Sequence, residues 1–580
     1  MTTYDKFPTV TIEGYDDSAW QGWEDITRVL AAKIQQRSRA VLVIDCYPGV
    51  RLNELEENVL PRLRPALTIN AGQARQDERA IHEMLARNLT DDRVFGVLSC
   101  HQLAEFFDPA RLEAQQTQVS QCAEGLIVIY GPGAALIHPG DVLVYADLPR
   151  WEIQQRMRSG EMGNWGAENQ HEDMLRRYKR AFFIEWRVFD RHKTPLLRRT
   201  DFLLDTTQAN QPAMVSGAAL RAGLKQTTTQ PFRVVPFFDP GVWGGQWMKQ
   251  QFDLDPSAPN YAWCFDCVPE ENSLLLRFGA VRIEIPSQDL VLLEPRALLG
   301  EKVHARFGAE FPIRFDFLDT IGGQNLSFQV HPVTEYIQQQ FGMHYTQDES
   351  YYILEAEPGA VVYLGTKTGT EPEAMMDDLW RAGRGEKNFD DARFVNQIPA
   401  KKHDHFLIPA GTVHCSGAGT MVLEISATPY IFTFKLWDWG RLGLDGLPRP
   451  VHLKHGEQVI DWQRDTQWVH QHLVNQFEHI AEGNGWREER TGLHEREFIE
   501  TRRHWFSEPV VHHTNGGVNV LNLVEGDEAI VDSPTGAFEP FVVHYAETFI
   551  IPASVGEYRI SPSTTAFGQA LATIKAWVRS

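Results

Sequence analysis

The hydrophobic rhythm of the chain changes at Lys225-Gln226-Thr227-Thr228-Thr229-Gln230-Pro231, a polar stretch that offers no core residue and ends in proline. Such a break separates regions built around different cores. Before it, short apolar runs such as Ala40–Asp45, Ala66–Ile69, Val94–Leu98, Leu126–Tyr130 and Val142–Tyr145 are mostly separated by charged segments of helical length. That is the pattern of buried parallel strands with helical crossovers. Asp201–Asp205 reads as the last strand of this region and Ala213–Leu224 as a helix. After the break, runs such as Leu274–Phe278, Val281–Ile285, Tyr351–Glu355 and Ala360–Leu364 recur at close spacing with Gly and Pro between them, which favours a barrel or jelly roll. The expected organisation is an α/β parallel-sheet domain at 1–225, a β core at 232–450 with a helical insertion near 370–394, and a helical stretch at 461–480 leading into a C-terminal β unit, the last two within 451–580.

Composition removes several function classes. The formal net charge of -22 opposes nucleic acid and anionic membrane surfaces as partners. No apolar run approaches the roughly 20 residues a bilayer span needs, and the polar, acidic start is unlike a signal peptide. Six scattered cysteines fit a reducing cytoplasm better than a disulfide framework. Cys264 and Cys267 form a single CxxC with no second pair or histidine pair beside it, so they read as ordinary strand cysteines.

The first apolar strand runs into Asp45-Cys46-Tyr47-Pro48-Gly49-Val50-Arg51. A phosphate loop there would need several glycines to wrap an anion in backbone N–H groups, then Lys and Ser/Thr for phosphate and magnesium. This turn has one glycine, a proline without N–H, and an arginine. The strand layout, Asp147-Leu148-Pro149-Arg150 and the basic run Arg176-Arg177-Tyr178-Lys179-Arg180 together resemble a phosphate-loop domain of the nucleoside-kinase type. The expectation is a domain of that kind without catalysis, serving assembly or sensing. Nucleotide binding or sugar phosphorylation is the alternative, and Gly131-Pro132-Gly133 offers a second anion loop or a plain turn.

In the β region, Gln329 and His331 stand at i and i+2 of Gln329-Val330-His331-Pro332, on one face of a strand. Glu349 opens the next β run, and His414 ends Phe406-Leu407-Ile408-Pro409-Ala410-Gly411-Thr412-Val413-His414. Gln, His, Glu and His make a mixed N/O donor set of the kind that divalent ions accept, Zn2+ first and other divalent metals after it. His512 and His513 also stand together, but adjacent strand positions point to opposite faces.

These residues lie among Val242-Trp243-Gly244-Gly245, Leu298-Leu299-Gly300, Leu326–Pro332, Glu349–Leu354, Ile408–His414, Leu423-Glu424-Ile425 and Tyr545–Ala553. In that order they resemble the class I mannose-6-phosphate isomerases, zinc-dependent cupin enzymes, across about 232–580. The resemblance implies one zinc per chain held by Gln329, His331, Glu349 and His414, and proton transfer between C1 and C2 of an open-chain sugar. The chain departs where that family is cationic: Gln347 replaces a lysine, Asp316 aligns with another, and Lys435 stands where the family has an arginine. Lys435 is then the candidate electrostatic stabiliser of an enediolate, Asp316 a candidate base, His344 a candidate ring-opening acid or base, and Glu424 a group that could orient a ligand or hydroxyl. Three readings follow: a metal-dependent isomerase of a hexose or hexose phosphate, a non-catalytic metal-containing sugar-binding or regulatory protein, or a bifunctional kinase and isomerase. The sequence leaves the oligomeric state open.

Overall fold

The computed structural model describes residues 3–35, 37–444, 446–492, 494–566 and 568–579. Two compact units emerge. One comprises 9–227 and 273–294, the other 1–8, 228–272 and 295–580.

The first unit is built on a seven-stranded sheet. Its strands are β1 (Ala19–Gln21), β2 (Arg39–Cys46), β3 (Leu67–Asn70), β4 (Gly125–Gly131), β5 (Val142–Asp147), β6 (Phe202–Asp205) and β7 (Ala213–Ser216), in the order β1-β7-β6-β5-β2-β4-β3. The five from β3 to β6 in that order are parallel, and β7 and β1 add antiparallel at one edge. Residues 40–46 of β2 are all buried because the strand is central and covered on both faces. Ala40, Leu42 and Ile44 pack against Trp23, Ile26 and Leu30 of the helix Trp23–Ile34.

Three expectations are corrected. Val94–Leu98 is not a strand: Asn88, in the helix Glu78–Leu89, takes its backbone groups, donating from Nδ2 to Val97 O at 2.9 Å and accepting from Val97 N at 2.8 Å. Ala213–Ser216 is strand rather than helix, because the open edge of β6 pairs with it, and the helix begins at Gly217. The segment 461–480 contains only the helix Thr466–His472, capped by the Asp465 side chain on Trp468 N at 3.0 Å. From Glu478 the chain is strand. In addition, the hairpin Ser273–Phe278 and Val281–Pro286 with the helix Gln288–Leu293, which falls inside the range read as β core, belongs to the first unit. Its outer strand pairs in parallel with Thr9–Thr11.

The second unit contains an antiparallel sandwich. One sheet takes β8 (Phe237–Asp239), β9 (Trp263–Cys267), β10 (Ile313–Asp319), β12 (Asp348–Ala356), β15 (His405–Ile408) and β17 (Thr420–Ala427). The other takes β11 (Phe328–Val330), β13 (Val361–Thr366), β14 (Val395–Pro399), β16 (His414–Ser416) and β18 (Phe434–Trp437). The orders are β15-β12-β17-β10-β9-β8 and β14-β13-β16-β11-β18. The helices Pro372–Gly383 and Asp391–Phe394 form the insertion expected near 370–394. A second pair of sheets, six and four strands from Glu478 to Val578, encloses an apolar core of Phe506, Leu521, Leu523, Val543, Phe549 and Ile560. Among the described residues, no helix is long and apolar enough to cross a membrane.

Buried cations and anions tie this unit together. Arg233 pairs with Glu547 at 2.7 Å and with Asp266 at 3.5 Å, and Asp266 also accepts from Thr548 N at 2.8 Å. His405 is different: its ring is fully buried beside Tyr352, and burial, reinforced by the Arg503 charge, pushes its pKa down to about 3. An unfolded imidazole takes a proton near 6.5. Between those values the unfolded chain binds more protons, so stability is fully present above about pH 6.5 and is lost as pH falls. We expect thermal melts to show a contribution of about 2 kcal/mol lost from this residue between pH 7 and pH 5. His405→Leu should flatten that part of the Tm profile, and an unchanged slope would refute the assignment.

Candidate metal centre

The four predicted donors come from the facing sheets of the sandwich. Gln329 on β11 and His414 on β16 are cross-strand partners in one sheet, His331 follows β11 directly, and Glu349 lies on β12 of the other. His331, Glu349 and His414 are at most 1 % exposed, and one donor atom from each lies within 4.8 Å of the others. Glu349 Oε1 is 2.8 Å from His414 Nε2, Glu349 Oε2 is 3.2 Å from His331 Nε2, and Gln329 Nε2 is 3.3 Å from His414 Nε2.

The tautomers are set from behind. His331 Nδ1 donates to Phe432 O at 2.8 Å and His414 Nδ1 to Thr412 O at 2.9 Å, so each Nε2 is turned towards the carboxylate. A neutral ring in that pose aims a lone pair at a carboxylate oxygen, and two acceptors face each other. Only a cation or a proton can bridge them. His331 Nε2 and Glu349 Oε1 are accordingly buried atoms without a hydrogen-bond partner among the described residues. Burial alone would raise the Glu349 carboxyl, but the facing His331 and His414 outweigh it and hold it below the usual carboxylate range. Burial alone would lower His331, but Glu349 outweighs it and raises the imidazole. The donor set and its orphaned atoms fit a zinc-like divalent ion.

Gly411 makes the turn before His414. It stands at φ 92°, in the left-handed region, and its N–H reaches His331 O at 2.9 Å. Asp348 accepts from Ala410 N at 2.7 Å, and the buried Arg464 donates to Pro409 O at 2.6 Å and also to Thr412 Oγ1. Sequence reasoning missed Arg464, which has no motif of its own and lies 50 residues beyond the ligand it supports.

Around the donors lies a ring of carboxylates. Gln347 donates to Glu349 Oε2 at 2.9 Å, to Glu424 Oε1 at 3.1 Å and to Ser426 Oγ at 3.3 Å, and its own oxygen accepts from Phe432 N at 2.9 Å. Its amide is fully used. Asp316 faces Glu424 across β10 and β17 and pairs with Arg314 at 3.2 Å. Burial, opposed by Arg314, brings Asp316 up to about 6, and burial with the Glu349 and Asp316 charges raises Glu424 well above the carboxylate range. Lys435 is the cross-strand partner of Gln329. Burial, with the nearby Arg449 charge, brings its ammonium down to about 8. His344 is exposed, in the loop after the helix Thr334–Phe341, outside this cluster. His512 is buried and His513 exposed, on alternate faces of one strand. Cys264 and Cys267 are buried free thiols.

In the first unit the candidate anion sites are internally satisfied. Gly133 N and Ala135 N donate to the buried Asp45 carboxylate at 3.3 and 2.8 Å, so the Gly131–Gly133 loop already holds an anion of this chain. In the Asp45–Arg51 turn, Tyr47 N is bonded to Ala146 O, Val50 N to Tyr47 O, and Arg51 to Glu161 at 2.6 Å. Asp147 pairs with Lys193 at 3.1 Å, and Lys193 with Asp289 at 2.6 Å. Of the basic run, Arg177 donates to Met157 O at 2.7 Å, Lys179 to Asp92 O, and Arg180 pairs with Glu185 at 3.1 Å.

We expect His331→Ala to abolish stoichiometric zinc in purified protein measured by plasma mass spectrometry. Arg464→Ala should leave the four donors present but weaken zinc binding at least tenfold in a competitive chelator titration. Retention of wild-type zinc affinity in the Arg464 variant would remove its positioning role.

The chain is similar in sequence to several known proteins. A family profile described as "Domain of unknown function (DUF8485)" matches residues 22–229. The mannose-6-phosphate isomerase ManA of Bacillus subtilis (strain 168) is 27% identical over 237 residues, 40% of this chain and 69% of that protein. The mannose-6-phosphate isomerase of Streptococcus mutans serotype c (strain ATCC 700610 / UA159) is 28% identical over 222 residues, 38% of this chain but only 63% of that protein. The solved mannose 6-phosphate isomerase from Bacillus subtilis is matched over 60% of this chain and 99% of its own, at 17% identity and a TM-score of 0.46. By sequence, the metal-bearing unit of this chain is similar to the mannose-6-phosphate isomerases.

Proposed function

We propose that the chain is a zinc-dependent aldose–ketose isomerase acting on a hexose or hexose phosphate of the mannose 6-phosphate and fructose 6-phosphate type. The single observation that carries this is the pair of Nε2 atoms aimed at one buried carboxylate, with a carbonyl behind each ring. Gln329, His331, Glu349 and His414 would hold the ion, and a zinc ion there supplies Lewis-acid polarisation of sugar oxygens.

The remaining residues divide the proton work. The reaction moves a proton between C2 and C1 and needs charge stabilisation as it does so. Burial and the Glu349 and Asp316 charges raise the Glu424 carboxyl well above the usual carboxylate range, and its Oε1 accepts from Gln347 at 3.1 Å and from Ser426 at 2.8 Å. Gln347 fixes its position relative to Glu349. Lys435, with its ammonium brought down to about 8, sits on the Gln329 side and is the cation nearest in register to the donors. Its role is to offset negative charge developing on the sugar oxygens. The Arg314 pair counts against Asp316 as the base, and exposure counts against His344.

A second reading concerns the anion. Gln347 brings no charge and its amide is fully used, and Asp316 adds a carboxylate. A phosphate dianion placed beside these groups would lose hydration without compensation. This favours a sugar without phosphate, or one whose phosphate is held elsewhere. The first unit we infer to be a kinase-like domain without catalysis: its five parallel strands run in the order β3-β4-β2-β5-β6, and its anion-facing N–H groups and cations are committed to internal partners.

The test is exchange of the C2 proton into deuterated water by zinc-replete protein, screened over mannose 6-phosphate, fructose 6-phosphate and free hexoses. Exchange with at least one sugar is expected, and none with any would leave a binding protein. Lys435→Met should lower kcat by about a hundredfold with KM little changed. An unaltered kcat would sink its assignment. Full-length protein should show no calorimetric signal with ATP and magnesium.

A further inference from the structure

A cleft of about 650 Å³ opens on the second unit, away from the metal donors. One wall is Glu355, on β12 six residues beyond Glu349, about 20 Å further along the strand. Two aromatic side chains form its apolar surface. Trp247 and Tyr545 are each half-buried, with ring centroids 6.3 Å apart and planes at 67°. Phe252 backs the indole at 5.6 Å. A volume of this size suits a small ligand, and half-buried aromatics beside converging polar groups are the usual lining of such sites.

The polar lining selects the class of ligand. Glu355, Glu525 and Asp527 place three carboxylates in the cleft against the single ammonium of Lys402. An anion such as a sugar phosphate would meet net negative charge there. Lys402 is committed to Glu525 at 2.6 Å, with its Nζ 5.8 Å from the Tyr545 ring centroid, which leaves Glu355 and Asp527 as acceptors in the cleft. Two acceptors beside two aromatic rings suit a ligand that has both hydroxyl donors and an apolar face. The acceptors are held ready for it: Gln569 Nε2 donates to Asp527 at 3.1 Å, Tyr545 N is bonded to Asp527 O at 3.1 Å, and His403 Nε2 lies 3.1 Å from Glu525. Carboxylates and planar amides pair well with adjacent sugar hydroxyls, which are both donors and acceptors.

We propose that this cleft is a second saccharide site, taking a neutral mono- or disaccharide with its ring against Trp247 and Tyr545 and its hydroxyls on Glu355, Asp527 and Gln569. The site is separate from the metal centre, and neither proposal depends on the other. Tryptophan fluorescence and calorimetry on the full-length, zinc-loaded protein would be run with mannose, mannobiose, cellobiose and mannose 6-phosphate. At least one neutral sugar should bind, and that binding should weaken at least tenfold in both Tyr545→Ala and Asp527→Ala. Tyr545→Phe, which keeps the ring, should retain it, and zinc content should stay at one per chain in all three. The same neutral-sugar binding should persist in His331→Ala. The proposal is overturned if no neutral sugar binds, if the Tyr545→Ala and Asp527→Ala variants bind as the parent does, or if binding disappears with His331→Ala alone.

Discussion

A carboxylate cannot be buried at 1 % exposure without compensation, and Glu349 accepts from the Gln347 amide and faces two imidazole Nε2 atoms that only a cation or a proton can join to it. Everything near the metal centre follows from that requirement. The two sheets of the sandwich bring His331 and His414 to Glu349 from the opposite face, and carbonyls of Phe432 and Thr412 turn the rings towards it. The turn at Pro409–Thr412, tied by Asp348 and Arg464, delivers the second histidine. Behind them, Gln347 extends the same network to Glu424 and Ser426.

The surrounding ring of carboxylates has a chemical consequence. Asp316 stands opposite Glu424 across two strands, and Gln347 links Glu424 to Glu349. Arg314 pairs with Asp316, two imidazoles face Glu349, and burial with the neighbouring carboxylates raises Glu424 well above the usual carboxylate range.

The first unit shows the same physics used for a different end. The N–H groups that could face a phosphate donate instead to Asp45, and the cations Lys193 and Arg180 are paired with Asp147, Asp289 and Glu185. These particular groups take their partners from within the unit.

By itself the sequence determined a change of architecture near residue 228 and most of the strands, because alternation and turn residues are local properties. It also named Gln329, His331, Glu349 and His414 as candidate donors, of which the structure brings His331, Glu349 and His414 together. Only the tertiary structure decided what depends on partners distant in the chain. Val94–Leu98 lost its strand to Asn88, Ala213–Ser216 gained one from the free edge of β6, and Ser273–Glu294 joined the first unit. The pairing of Asp316 with Arg314, the four bonds of Gln347 and the support from Arg464 likewise arise from packing across sheets. Periodicity records which face of a strand is buried, but not which charge waits on the other side of the core.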